Sequence, residues 1–283
     1  MRRSQKMKNV TTRLAKKEDM ERLLAIEAVA LPSAIYLADV EEEFYDPERG
    51  ELIVAEIDGV VAGFAHYSIQ YDNAAWIETL RVDPPMQKTG AGAAIWNRIM
   101  EKCDELNPPA IRMYTNIGND GSIKLAYRNG LGICLNTHEY ELKLEGVALP
   151  SKHEFKPVAY EDVERLLTPY KKGYHDYYFT NRTFYEMNDA LYRALAEDGK
   201  VWAKEDAVVV VGSRYRHATG LHVGMLCGNV DHCIDFAVAE GLRQGVPKVV
   251  CMIPNDRQEL ADQLRAHGFT LNGNDIIMME RVF

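Results

Sequence analysis

The chain has 283 residues, 47% hydrophobic and 27% charged, which fits a globular protein with room for two hydrophobic cores. Its net charge of −9 makes nucleic acid a poor partner, since phosphate binding needs a basic footprint, and suits a cationic one better. No apolar run approaches the roughly 20 residues of a membrane helix, so no membrane partner is expected.

In chain order, the basic start MRRSQKMKNVTTR has no apolar segment behind it and reads as a frayed tail, not a secretory signal. The pattern then predicts a strand over 11–14 and a helix opened by Lys17-Glu18-Asp19, with Met20, Leu23, Leu24 and Glu27-Ala28 at helical spacing. A second helical stretch follows Leu31-Pro32-Ser33 and stops at Asp46-Pro47. Strands over 51–57 and 60–70 flank Asp58-Gly59, a strong hairpin signal. A third strand over 75–82 breaks at Asp83-Pro84-Pro85. Gln87-Lys88-Thr89-Gly90-Ala91-Gly92 then opens a helix over 93–106, stopped by Asn107-Pro108-Pro109. A strand over 110–114, a short helix over 119–129 and a strand over 136–144 follow.

After the linker EGVALPS at 145–151 the pattern restarts. AYEDVERLL at 159–167 echoes AKKEDMERLL at 15–24, and VVVVGSRY at 208–215 parallels GVVAGFAHY at 59–67. A strand over 221–226, a helix over 230–243, a strand over 248–253 and a helix ending in RAHGF complete a tandem repeat, with domains expected at 1–145 and 152–283. In the second copy HVGMLCGNV runs from strand directly into helix, with no glycine loop between. Gly212 follows Gly63 by 149 positions but Gly268 follows Gly130 by 138, so about eleven residues are missing there.

The turn at 83–92 is the most informative segment. A strand, a glycine-containing loop and a helix N-terminus make an anion cradle, because free backbone N–H groups and the positive end of the helix dipole converge on one spot. A Cβ at Gly90 or Gly92 would hold a phosphate off the backbone. A dinucleotide fingerprint fits poorly, because its third glycine position is Ile95 and the strand follows a hairpin. Read structurally alone, Asp-Pro-Pro is a strand stop and Gly-Ala-Gly permits tight helix packing. The spacing Gln-x-x-Gly-x-Gly, set in the order β-α-α-β-β-β-α-β-α-β over residues 9–145, resembles the GNAT superfamily of acetyl-CoA-dependent N-acetyltransferases.

That resemblance implies an α/β (α+β) fold of two tandem GNAT-like domains, each a mixed, mostly antiparallel sheet flanked by helices, the second degenerate and without the pyrophosphate loop. It implies acetyl-CoA as co-substrate and no metal. Pantetheine would pair with the backbone of Leu80, Arg81 and Val82, as an added strand does. The pyrophosphate would rest on the loop Gln87, Lys88, Thr89, Gly90, Ala91 and Gly92, with Asn119 completing the cofactor set.

An alkylammonium acceptor costs about 4 kcal/mol to deprotonate at neutral pH, so a base is required. The resemblance assigns this role to Glu78, often acting through water, with Glu27 and His66 as rivals; Glu27, His66 and Asp72 would line the acceptor site. The family places an acidic Tyr in its fourth helix. Here one register puts Ala126 at that position and another puts Tyr127 there, a difference of about 100° around the helix. The acidic run at 41–46 favours a cationic amine or is simply a solvated face. The aromatic stretch at 170–185 walls the site or forms core. Five cysteines, an odd number without a Cys-x-x-Cys pair, point to reduced thiols in a cytoplasmic protein. Cys227 and Cys233 near His232 read as buried apolar residues rather than a metal site. The expected activity is direct acetyl transfer to a primary amine of a small molecule or peptide by a monomer or homodimer. The alternatives are a CoA-binding regulatory protein, or an acyltransferase with another acyl chain or a hydroxyl acceptor.

Overall fold

Alternation of apolar residues and well-placed turns produce the elements, and the computed structural model describes residues 9–32, 34–273 and 275–283. Residues 1–8 of the basic start, and Ser33, lie outside the described residues. The chain divides into two compact units. The first holds residues up to Gln70, Ala74–Ile111 and Val282–Phe283; the second holds Tyr71–Asn73 and Arg112–Arg281.

The first unit is built on strands β1 (Val10–Leu14), β2 (Glu51–Ile57), β3 (Val60–Ile69) and β4 (Ala75–Val82), paired antiparallel in that order. Its helices are α1 (Met20–Ala30), α2 (Glu41–Tyr45) and α3 (Ala91–Leu106). Helix α3 buries Ala91, Ile95, Trp96, Ile99 and Cys103, one stripe at helical spacing. Each large apolar side chain so buried contributes roughly 1.5–3 kcal/mol. The helix starts at Ala91, two residues before the expected position, because Gly90 takes φ 103° and serves as its N-cap.

The second unit opens with β5 (Ala110–Asn116), whose first two residues belong to the first unit, then α4 (Asp120–Arg128) and β6 (Gly132–Lys143). It continues with β7 (Lys156–Pro157), α5 (Tyr160–Lys171), β8 (Tyr177–Thr180), β9 (Thr183–Glu186) and α6 (Asp189–Glu197). Then come β10 (Val201–Lys204), β11 (Ala207–Val211), β12 (Leu221–Gly228), α7 (Val230–Gln244), β13 (Lys248–Pro254), α8 (Gln258–Ala266), β14 (Thr270–Leu271) and β15 (Ile276–Val282). Its strands run β5-β15-β6-β13-β12-β11-β10-β7, with β14 also on β6 and β8-β9 a separate hairpin. The closing strands of the two repeats are exchanged: β6 pairs with β13 over residues 137–143, while β15 lies between β5 and β6. This exchange is why the compact units part near Ile111 although the repeat restarts after residue 151. The aromatic stretch is core, with Tyr174, Tyr178, Phe179, Phe184 and Tyr185 all buried. Among the described residues no helix is long and apolar enough to cross a membrane, and no three His, Cys, Asp or Glu side chains gather as a metal site requires.

Candidate functional site

Between β3 and β4, His66 faces Glu78 and Phe64 faces Arg81, so Thr79 and Leu80 of β4 together oppose the single residue Ala65 of β3. The extra residue is a bulge, and Thr79 adopts φ 53° to make it. The ladder to β3 is broken there, which frees the strand to bend just ahead of Leu80, Arg81 and Val82. Asp83 is tied by its carboxylate to Arg22 and its carbonyl accepts from Met86 N at 2.8 Å. The Thr89 hydroxyl closes the next turn by donating to the Met86 carbonyl at 2.5 Å.

Gln87, Lys88 and Gly90 are exposed. The first amide of α3 to find a carbonyl of its own turn is that of Ala94, on Gly90 at 2.9 Å. The amides of Ala91, Gly92 and Ala93 therefore lack the intrahelical acceptors that later turns have, and no acidic residue sits in the first turn. The arrangement fits a diphosphate: left-handed Lys88 and Gly90 turn the loop around an open helix N-terminus whose dipole favours negative charge.

Glu78, Glu27 and His66 are brought together through the core. Both Glu27 oxygens accept backbone N–H groups, from Tyr36 at 3.2 Å and from Leu37 at 3.1 and 3.2 Å. Tyr36 meets Phe44 edge-on, and Phe44 stacks flat on His66 with centroids 4.0 Å apart. His66 Nδ1 lies 3.2 Å from Glu78 Oε1, within hydrogen-bond distance, with both side chains buried. Sequence reading named all three but missed the string. The hairpin register of β3 and β4, which sets 66 opposite 78, was the signal available for it.

The other named residues lie in the second unit. Asp72 is buried against the Arg112 guanidinium and accepts Glu186 N at 2.6 Å. The Asn119 side chain caps α4 by accepting from Ser122 N at 3.3 Å. On α4, Ala126 is fully buried and Tyr127 is 52% exposed.

The turn from β12 to α7 is differently furnished. The parallel pairing of β12 with β13 covers three positions, from Leu221 opposite Val249 to Val223 opposite Cys251, and then ends. Beyond that point the buried Tyr174 hydroxyl donates to the Leu226 carbonyl at 3.2 Å and accepts Leu226 N at 2.9 Å. Both polar groups of that strand residue are thus consumed by a side chain. At Gly224 even a Cβ would lie 2.1 Å from the Tyr178 ring, so the aromatic core reaches the strand backbone itself. The head of α7 is capped by the Asn229 side chain on His232 N at 3.3 Å. Asp206 stands beside it, its carboxyl held down to about 2 by the hydrogen bond from Lys204 and then by Asn229.

Residues 18–131 match the family described as Acetyltransferase (GNAT) family. No curated protein matches the chain. Among solved structures the chain is similar to a GCN5-related N-acetyltransferase from Sphaerobacter thermophilus, at TM-score 0.63 and 12% identity over 96% of this chain and 95% of that one. It is also similar to a tandem GNAT protein from the clavulanic acid biosynthesis pathway, at TM-score 0.60 and 13% identity over 97% and 98%. A third, the GCN5-related glucosamine N-acetyltransferase region of a fungal multi-domain GH3 β-N-acetylglucosaminidase, gives TM-score 0.70 and 11% identity over 97% of this chain and 38% of that one. Residues 18–131 are thus a domain of the GNAT acetyltransferase family, and the chain has the fold of a tandem GNAT protein.

Proposed function

We propose that this chain is an acetyl-CoA-dependent N-acetyltransferase that acts on a primary amine by direct transfer, with the β4–α3 turn as its cofactor cradle. The observation that carries the reading is the bulge of β4 leading into an open, glycine-capped helix N-terminus. Gln87, Lys88, Thr89, Gly90, Ala91 and Gly92 would hold the pyrophosphate through backbone N–H groups, and Leu80, Arg81 and Val82 would take the pantetheine arm along the strand edge. When bound, acetyl-CoA supplies an acetyl thioester open to attack by an amine.

The chain's own task is to provide that amine in neutral form. Glu78 lies directly before the bulge and accepts the proton on its carboxylate, which restores the nucleophilic lone pair. The proton returned on the leaving side would come from Tyr127, which is exposed. A net charge of −9 favours a cationic acceptor, a small-molecule or peptide amine. The glucosamine N-acetyltransferase among the similar structures makes an amino sugar a reasonable first acceptor to test. All five cysteines are free, which suits a reducing, cytoplasmic location.

The test is CoA-thiol release across amines, peptides and amino sugars, followed by Glu78→Gln on the best acceptor. Turnover should fall roughly 10²–10⁴-fold with acetyl-CoA affinity unchanged. Unchanged turnover would remove Glu78 from the mechanism. Tight acetyl-CoA binding with no acceptor turned over at any pH would instead favour a CoA-binding regulatory protein.

A further inference from the structure

The His66–Glu78 pair has a built-in direction. His66 Nδ1 faces Glu78 Oε1 at 3.2 Å, while Nε2 is buried and has no hydrogen-bond partner among the described residues. Gly50 closes the space beyond it: a Cβ on that residue would lie 2.8 Å from Nε2 and 2.2 Å from the Tyr67 carbonyl. Phe44 covers one face of the ring in parallel contact. An imidazolium here would carry a buried N–H on Nε2 with no acceptor among the described residues, which costs a desolvation penalty. A proton taken up at Nε2 would likewise have no route out.

We propose that His66 is a positioning residue for Glu78: its ring is fixed with Nδ1–H directed at the carboxylate, and that N–H keeps the buried carboxylate oriented. The ring is clamped by Phe44 and Gly50 so that this N–H cannot turn away. A hydrogen bond from a fixed donor removes rotamer freedom from the carboxylate before an acceptor arrives. His66 passes no proton to or from the acceptor; it acts through Glu78. The inference rests on the proposed role of Glu78 as base.

Two measurements test it. In the ligand-free protein at neutral pH, ¹⁵N-resolved NMR of the His66 ring should show Nδ1 protonated and Nε2 bare. An Nε2–H tautomer or an imidazolium would overturn the proposal without reference to any activity. The second compares variants at position 66. Asn places an amide N–H near the Nδ1 position but loses the stack on Phe44, whereas Phe keeps the stack and loses the donor. His66→Phe should lower kcat roughly 10- to 100-fold, the size expected for a lost hydrogen bond to a charged group, with KM for acetyl-CoA unchanged. His66→Asn should recover most of that loss. A merely structural role for the ring predicts the opposite ranking, with Phe equal to or better than Asn, and that result would overturn the proposal. Glu78→Gln is the control for the underlying reading. If it leaves turnover intact, Glu78 is not the base; if it abolishes turnover while His66→Phe does not, only the role of His66 falls.

Discussion

The β4–α3 turn and the β12–α7 turn are the same piece of architecture made twice, a strand running into the N-terminus of a long helix. In the first, Gly90 at φ 103° leaves the helix head bare and the loop exposed. In the second, Asn229 caps the helix, the Asp206 carboxylate brings a negative charge to its head, and Tyr174 takes both backbone groups of Leu226. The chemistry available to a backbone is the same in both places. What differs is whether the protein consumes it internally. An open helix terminus is a ligand site because four N–H groups are left over, and a side-chain cap with a carboxylate beside it cancels that capacity with its own atoms. Tyr174 does the same for the strand edge, with a phenol hydroxyl in the position of an incoming amide.

The largest expected effect is on the open turn. Gly92→Val should lower acetyl-CoA affinity roughly 100-fold or more, since several charge-assisted backbone contacts are lost together. Thermal stability should stay nearly unchanged, because Gly92 is only half-buried, in the first turn of α3. Calorimetry giving wild-type affinity would break the assignment of the cradle.

The next effect separates the two regions by pH. Burial holds the His222 imidazole down at about 4 from an ordinary 6.5. The geometry agrees: Asn181 Oδ1 accepts Arg214 N at 2.6 Å, which turns Asn181 Nδ2 toward His222 Nε2 at 3.0 Å, so that nitrogen must be a bare acceptor. Unfolded chains bind a proton here near pH 6.5 and folded chains only near 4, so protons favour unfolding. The second unit should lose about 3 kcal/mol as pH falls from about 6.5 to about 4. Burial pushes the Glu139 carboxyl up, but the Arg182 guanidinium outweighs it and holds the group below its ordinary range. Its loss therefore follows at still lower pH with the same sign. His222→Gln, which keeps an acceptor but cannot titrate, should flatten the first of these steps in acid-unfolding curves; an unaltered pH profile would refute the buried neutral histidine.

Tyr174→Phe probes the filled strand edge. It keeps the ring and removes the hydroxyl, leaving Leu226 N–H and C=O buried without their partner, so the second unit should lose about 1–3 kcal/mol by denaturant titration. A neutral result would mean that the strand edge does not depend on this plug.

Most of the element order was legible because it is written locally. The hairpin at Asp58-Gly59 and the stops at Asp83-Pro84-Pro85 and Asn107-Pro108-Pro109 each carry their own signal, and the missing loop after β12 shows as a length difference. The exchange of β6 and β15 was not legible, since both strands have the same apolar character and either could close either repeat. The hairpin β8-β9 turns at Asn181 and Arg182, both at positive φ without a glycine, so the usual turn signature is absent. The roles of single side chains were least legible. Glu27 is expected from sequence to line the acceptor site, and its carboxylate accepts the backbone N–H groups of Tyr36 and Leu37, contacts that no sequence pattern announces. Tyr174 reads as one aromatic among many, and only its contact with Leu226 shows what it does.

Titration of the purified chain with acetyl-CoA by isothermal calorimetry, for the wild type and for Gly92→Val, addresses the contrast between the two turns directly. The wild type should bind one acetyl-CoA per chain, and Gly92→Val should bind it roughly 100-fold more weakly or not at all. Two sites per chain, or wild-type affinity in Gly92→Val, would contradict it.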